Sequence, residues 1–158
     1  TYTQDYDERF PMSATLTSIG AMTLGDLSQP YVKNQQIMFC PSDRAGAVEI
    51  ANVLTDRGVP QAPGAVARMS YTCNTYVCAD LISGAPISSV VSLGQVAYPS
   101  ECPMVVDGIW NVPMIATGSA PHNRHNDGAN MGYVDGHAKW AGRLRGYPYT
   151  DLYRPAGS

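Results

Sequence analysis

Three histidines and three aspartates between positions 107 and 137 are the residues whose types could support chemistry. They are His122, His125, His137, Asp107, Asp127 and Asp135. Imidazole and carboxylate groups together can bind zinc or another transition metal, and a His–Asp pair can act as a general base. No two histidines have the i, i+4 spacing of a helical ligand pair, and the surrounding glycines argue against a helix. We therefore expect these side chains to fix turns by hydrogen bonding. A calcium or zinc site drawing on Asp107, His125, Asp135 or His137 is the weaker alternative.

A β-hairpin is the element expected to position this group. Residues 130–134 and 137–141 are two short runs with β-branched and aromatic side chains, separated by Asp135-Gly136. Asp-Gly tolerates the positive φ angles of a tight type I′ turn. We expect Tyr133 and Val134 to pair with residues around Trp140 on the returning strand.

Signatures of the common enzyme classes do not occur in the chain. It has no Gly-x-Ser-x-Gly elbow, no phosphate-binding loop ending in Lys-Ser or Lys-Thr, and no dinucleotide fingerprint. Cys40 or Ser42 could be combined with His125 and Asp107 into a nucleophile, a base and an orienting acid, but no spacing selects that trio. The sequence therefore predicts a protein without enzymatic activity or a required cofactor, and leaves a metal-dependent secreted hydrolase as an alternative.

The composition limits the classes of partner. The chain has 158 residues, 44% hydrophobic and 15% charged, which is enough to build the core of a single domain. A net charge of −3 and only two lysines provide no electrostatic footprint for nucleic acid. No apolar run is long enough to span a membrane. A surface rich in uncharged polar residues is typical of extracellular proteins.

Twelve prolines and fifteen glycines, spread along the chain, predict many short elements joined by turns. We expect an α+β, β-rich fold in which an antiparallel sheet ends in a C-terminal hairpin and is accompanied by short helices. Strands are predicted at residues 36–40 and 102–107, and a short helix at residues 45–53. Residues 143–158 are expected to form an irregular strap.

An even number of cysteines in a turn-rich chain with few lysines predicts two disulfides in an oxidising compartment. The cysteines are Cys40, Cys73, Cys78 and Cys102. The first pairing to consider is Cys73–Cys78 with Cys40–Cys102, and the second is Cys40–Cys73 with Cys78–Cys102. A four-thiolate zinc site is disfavoured, because the chain has no Cys-x-x-Cys pair.

His125, nine intervening residues and then Asp135-Gly136 resemble the signature of the prepilin-type H-X9-DG family of type IV pilin-like and pseudopilin-like proteins. Four further blocks resemble this family in order along the chain. They are YTQDYDERFP at residues 2–11, QPYVKN at 29–34 followed by FCPSD at 39–43, MSY with Asn74 at 69–74, and PSE leading into VVDG at 99–108.

The resemblance implies a pilin-like globular domain over residues 1–158 that is a structural, self-assembling subunit of a bacterial extracellular filament or pseudopilus. Members of this family carry a long hydrophobic N-terminal helix, of which residues 1–10 would be the end or the linker. That helix, expected outside this chain, would be the link to a membrane. Gly136 would supply the turn, while Asp135 and His125 would hold adjacent backbone segments by hydrogen bonds. An extracellular binding module is the alternative, an adhesin or carbohydrate-contacting subunit using Trp110, Tyr147, Tyr149 or Tyr153.

Overall fold

Two antiparallel sheets organise the fold in a computed structural model that describes residues 1–43, 49–82, 90–108 and 122–142. The first sheet is a two-stranded hairpin, and the second has four strands in the spatial order β3-β4-β5-β6. The strands are β1 (Ala14–Thr17), β2 (Gly20–Thr23), β3 (Tyr71–Cys73), β4 (Pro103–Asp107), β5 (Gly128–Tyr133) and β6 (Ala138–Gly142). With the short helices described next, this arrangement confirms the predicted α+β class with antiparallel sheets.

The helices are short: α1 (Tyr2–Asp5), α2 (Leu24–Val32) and α3 (Ile50–Thr55), with 3-10 turns at Gln35–Met38 and Leu93–Gln95. No helix in the described part of the chain has both the length and the apolar character needed to cross a membrane.

Buried Asp26 joins three segments. Its Oδ2 accepts hydrogen bonds from the backbone N–H and hydroxyl of Thr23 at 2.7 and 2.9 Å, and its Oδ1 accepts one from the N–H of Val66 at 2.5 Å. Thr23 is the N-cap of α2, and the Asp26 carboxylate completes the capping box with it while also fixing the distant Val66 segment.

One cluster of buried apolar side chains draws on most of these elements. Ile50 and Leu54 of α3 are fully buried in it, together with Val66, Met69 and Val77 from the loops that flank β3. In such a cluster each side chain excludes water from its neighbours, and truncating one leaves a cavity. The core therefore holds the small helices against the four-stranded sheet.

The strand predicted at residues 102–107 is confirmed as β4, whereas the strand predicted at residues 36–40 is wrong. That segment begins with a 3-10 turn, because the side chain of Asn34 accepts a hydrogen bond from the N–H of Gln36 at 2.9 Å and caps it. Of the helix predicted at residues 45–53, residues 45–48 lie outside the described part. The observed helix α3 begins at Ile50 and extends past the predicted end to Thr55. Residues 143–158, the predicted strap, also lie outside.

The predicted C-terminal hairpin is confirmed as β5–β6, but the predicted type I′ turn at Asp135-Gly136 is wrong. The N–H of Gly136 donates to the carbonyl of Tyr133 at 2.9 Å, and the N–H of Tyr133 donates to the carbonyl of His137 at 2.8 Å. In this described loop Gly136 alone has a positive φ, of 94°. The connection is therefore a three-residue loop with glycine in its left-handed position. Trp140 consequently pairs with Asn130, not with the residues next to the turn.

Replacing Gly136 by alanine is expected to lower the free energy of unfolding by about 1–2 kcal/mol, the cost of a side chain in the left-handed region. No described atom lies within 4 Å of the added Cβ, so the backbone angle alone is responsible. Gly94→Ala is the matched control, because that site is equally open and has no positive φ. It should shift the urea unfolding midpoint little. Equal midpoints for both variants would contradict the turn.

Candidate functional site

The structure brings Cys40, Asp107 and His125 together. Each offers one ligand atom, and the three atoms lie within 4.8 Å of one another. The Nε2 of His125 is 3.4 Å from the Sγ of Cys40 and 3.5 Å from the Oδ2 of Asp107. Cys40 and Asp107 are buried, while the side chain of His125 is 28% exposed and reaches solvent. A sulfur, a nitrogen and an oxygen therefore converge on one partly open point.

Asp107 is held rigidly at the end of β4. It stands opposite Tyr71 of β3, and its backbone carbonyl accepts a hydrogen bond from the N–H of His122 at 2.9 Å. Its carboxylate Oδ2 accepts a second hydrogen bond from the N–H of Asn130 in β5 at 2.6 Å. Contacts to both neighbouring strands thus fix the direction in which the carboxylate points.

His125 is positioned by a tight turn that precedes β5. The backbone groups of His125 and Gly128 exchange two hydrogen bonds, both of 3.0 Å. Between them Asn126 and Asp127 have φ angles of 50° and 57°, as a type I′ turn requires. The indole N–H of Trp140 donates to the carbonyl of His125 at 2.8 Å. The type I′ turn expected at Asp135-Gly136 therefore occurs at Asn126-Asp127, where the hydrogen bond from Trp140 of β6 stabilises it.

Arg124 holds the cysteine segment against the sheet. Its Nη1 donates to the Oδ2 of Asp43 at 3.0 Å and to the carbonyl of Ser70 at 3.1 Å, and its Nη2 donates to the carbonyl of Gly108 at 2.8 Å. The N–H of Asp43 in turn donates to the carbonyl of Cys40 at 2.9 Å. The guanidinium therefore sets the position of Cys40 relative to β4.

Asp135 and His137 form a separate exposed pair at the other end of the hairpin. Asp135 Oδ1 accepts a hydrogen bond from the N–H of His137 at 3.1 Å and lies 2.6 Å from its Nδ1. The backbone hydrogen bond is the main cause of a lowered pKa of the Asp135 carboxyl. The six residues of β5 span about 20 Å between this pair and His125. Asp107 and His125 consequently do not share a site with Asp135 and His137.

The roles predicted for the H-X9-DG residues are correct in part. Gly136 does supply the left-handed turn position, and Asp135 does bind backbone, although only within its own loop. The ring of His125 does not hold a backbone segment in the described structure. It faces Cys40 and Asp107 instead. Among the remaining candidates, Asp127 lies in the tight turn, His122 contributes its backbone N–H, and Ser42 is exposed.

All four cysteines are buried free thiols, so neither predicted disulfide pairing is present. Burial raises the pKa of Cys73 to about 12 and that of Cys102 to about 11. Burial also raises the pKa of Cys78, and the neighbouring Cys73 and Cys102 add to that shift. A thiol that stays protonated is a poor nucleophile and a poor metal ligand. Cys40 is set apart from these three by geometry, because its Sγ lies 3.4 Å from the Nε2 of His125.

The geometry separates two kinds of chemistry for Cys40, Asp107 and His125. In a nucleophile–base–acid triad, the two nitrogens of the histidine ring have different partners, with the nucleophile at one and the carboxylate at the other. Here Cys40 and Asp107 both face Nε2. Cys40, His125 and Asp107 are therefore close together. They are not arranged as a triad, because the carboxylate and the thiol do not contact opposite nitrogens of the ring. Convergence of three ligand atoms on one point is instead typical of cation binding.

Comparisons of the chain with protein-family models, with curated proteins and with solved structures found no match.

Proposed function

We propose that this chain is the globular domain of a pilin-like subunit that assembles with copies of itself into a bacterial extracellular filament or pseudopilus. The ordered resemblance to the H-X9-DG family along residues 2–140 supports this proposal. The structural observation that carries it is an apolar groove together with a separate exposed apolar hairpin tip.

The groove lies between the N-terminal helices and the four-stranded sheet and has a volume of about 540 Å³. Its lining is largely apolar and includes Leu24, Ile37, Met69, Met104 and Val134. Ile37 is 56% exposed although it is a large hydrophobic side chain. Contiguous apolar surface that remains open to water marks an interaction site.

The tip of the β1–β2 hairpin presents the complementary surface. Leu16 and Ile19 are exposed there, Ile19 by 64%, and neither is among the described residues that line the groove. The hydroxyl of Thr17 donates to the carbonyl of Gly20 at 2.7 Å and keeps the tip folded. A rigid apolar projection loses little conformational entropy when it binds.

We infer that the groove of one copy receives the hairpin tip of the next copy. Such a contact joins two different surfaces, so each added copy presents a new free groove or a new free tip. Repetition of a head-to-tail contact that does not close produces a helical filament. The low net charge of −3 opposes this association only weakly.

Ile19→Asp at the tip and Ile37→Asp in the groove are each expected to weaken self-association at least about 10-fold. Each removes an apolar side chain that the contact between copies would bury, and such burial contributes about 1.5–3 kcal/mol of binding free energy. Both residues are exposed in the single chain, so folding should be unaffected. Sedimentation velocity and negative-stain microscopy would measure the assemblies. Tyr98→Asp is the control, because Tyr98 is exposed but lies outside the described groove lining.

A mixture of the two variants makes the test specific. Each Ile19→Asp chain keeps an intact groove and each Ile37→Asp chain keeps an intact tip, so the equimolar mixture should form dimers and no filament. A parent chain that stays monomeric at high concentration would contradict the proposal. So would an Ile37→Asp variant that assembles as well as Tyr98→Asp.

The binding-module alternative stays a prediction, because Trp110, Tyr147, Tyr149 and Tyr153 lie outside the described residues. The geometry does not favour the hydrolase alternative. Cys40 and Asp107 face the same nitrogen of His125, whereas a catalytic triad uses both ring nitrogens.

A further inference from the structure

We propose that Cys40, Asp107 and His125 bind a zinc ion that ties three distant chain segments together. The inference is independent of the assembly proposed above, because it concerns the interior of one chain. It rests on the identity of the three donor atoms, their distances and the way in which the surrounding backbone holds them.

The donor set selects the metal. Zinc is a cation of borderline softness that accepts thiolate, imidazole and carboxylate ligands in one tetrahedral site. Calcium takes six to eight oxygen ligands and magnesium an octahedral oxygen shell, and neither favours sulfur. Of the two metals that the sequence leaves open, calcium and zinc, the sulfur of Cys40 therefore favours zinc.

The distances agree with a tetrahedral zinc site. With zinc about 2.3 Å from sulfur and about 2.0 Å from nitrogen and oxygen, neighbouring ligand atoms lie roughly 3.3–3.6 Å apart. The Sγ–Nε2 distance of 3.4 Å and the Nε2–Oδ2 distance of 3.5 Å match two edges of that tetrahedron. The third edge, between the Sγ of Cys40 and a carboxylate oxygen of Asp107, is within 4.8 Å, so the Cys40 side chain would close the remaining gap when zinc binds.

The surroundings support ligands rather than a simple hydrogen-bonded contact. Asn130 donates its N–H to the same Asp107 oxygen that faces His125, and such a partner orients a ligating carboxylate. A protonated Nε2 carries one hydrogen, which could serve only one of its two neighbours well. A cation at the point where the three atoms converge would satisfy all of them. The exposed side of His125 leaves room for a solvent molecule as the fourth ligand.

Zinc would take over the stabilising role that the sequence assigns to a Cys40 disulfide. Cys40 precedes α3, Asp107 ends β4 and His125 starts the turn into β5. Metal binding of this kind contributes directly to folding free energy, because the unfolded chain has no preformed site. The thiolate form of Cys40 is the ligand, so zinc displaces one proton from its thiol on binding.

The test measures zinc binding to the reduced, metal-free chain by isothermal titration and equilibrium dialysis. We expect one zinc per chain and no binding of calcium. Cobalt should bind in its place and give a thiolate-to-cobalt charge-transfer absorption. Cys40→Ser, His125→Asn and Asp107→Asn should each weaken zinc binding more than about 100-fold, beyond the 10–100-fold typical of a lost supporting partner. His137→Asn is the matched control and should bind zinc like the parent.

Far-UV circular dichroism would check the fold of each variant. Asp107→Asn keeps an oxygen for the N–H of Asn130 and so remains informative if Cys40→Ser does not fold. Absence of zinc binding would overturn the proposal and leave the trio as a hydrogen-bonded contact. Zinc bound without the cobalt–thiolate band, or binding lost in His137→Asn, would also overturn it by placing the ion elsewhere. Performing the titration on Ile19→Asp separates this result from any failure of assembly.

Discussion

Arg124→Ala is expected to lower the free energy of unfolding by about 3–5 kcal/mol, the range for breaking a buried ion pair by removing one partner. The side chain of Arg124 is 8% exposed and that of Asp43 is 2% exposed, so the remaining carboxylate would be left charged and out of water. The carbonyl of Gly108 would lose the hydrogen bond from Nη2 at the same time, and the carbonyl of Ser70 would keep only its hydrogen bond from the N–H of Gly108. Chemical unfolding in urea measures the loss as a lower transition midpoint.

Arg124→Lys should recover little of this stability. One ammonium group is a compact charge, whereas the planar guanidinium bonds Asp43 and the carbonyl of Gly108 through different nitrogens. The exposed pair of Arg68 and Glu49 is the matched control, with side chains 56% and 49% exposed and a distance of 2.9 Å. Arg68→Ala should cost less than about 1 kcal/mol, because water screens that pair. Similar losses for Arg124→Ala and Arg68→Ala would contradict the structural role of Arg124.

Gly128→Ala is expected to lower the free energy of unfolding by about 2–3 kcal/mol, as overpacking in a closed contact does. The added Cβ would stand 2.5 Å from Cε2 of Trp140 and would also press on the backbone oxygen of Ala141. The backbone oxygen cannot move aside without breaking the pairing of β5 with β6. Because the indole N–H of Trp140 binds the His125 carbonyl, the same change should also weaken zinc binding at the proposed site.

Gly132→Ala is the matched control for Gly128→Ala, since both residues lie in β5. At Gly132 the added Cβ has its closest described contact with the carbonyl of Val105 at an ordinary 3.9 Å. Its unfolding midpoint should therefore stay close to that of the parent. Equal destabilisation by the two variants would show that strand propensity, and not the contact with Trp140, explains the need for glycine at position 128.

Elements specified by local patterns were predictable. The alternation and turn residues of the C-terminal hairpin and the apolar run of β4 act over a few neighbouring residues, and both elements form where these patterns indicate. The pattern at residues 36–40 is also apolar, but the cap by Asn34 converts its start into a 3-10 turn. A single side-chain hydrogen bond thus outweighed a weak strand propensity.

The sequence by itself determined the α+β class, the hairpin and the requirement for glycine at position 136, because these depend on side-chain period and on backbone angles of single residues. Only the tertiary structure decided that Cys40 stands beside His125, 85 residues away along the chain, and not in a disulfide. It also decided that Asp107 and His125 form one site while Asp135 and His137 form another. The physical reason is that such contacts are set by sheet pairing and by the buried Arg124–Asp43 bond. Sheet pairing and this ion pair join segments that lie far apart in the sequence. Patterns of a few neighbouring residues do not specify which distant segments will meet.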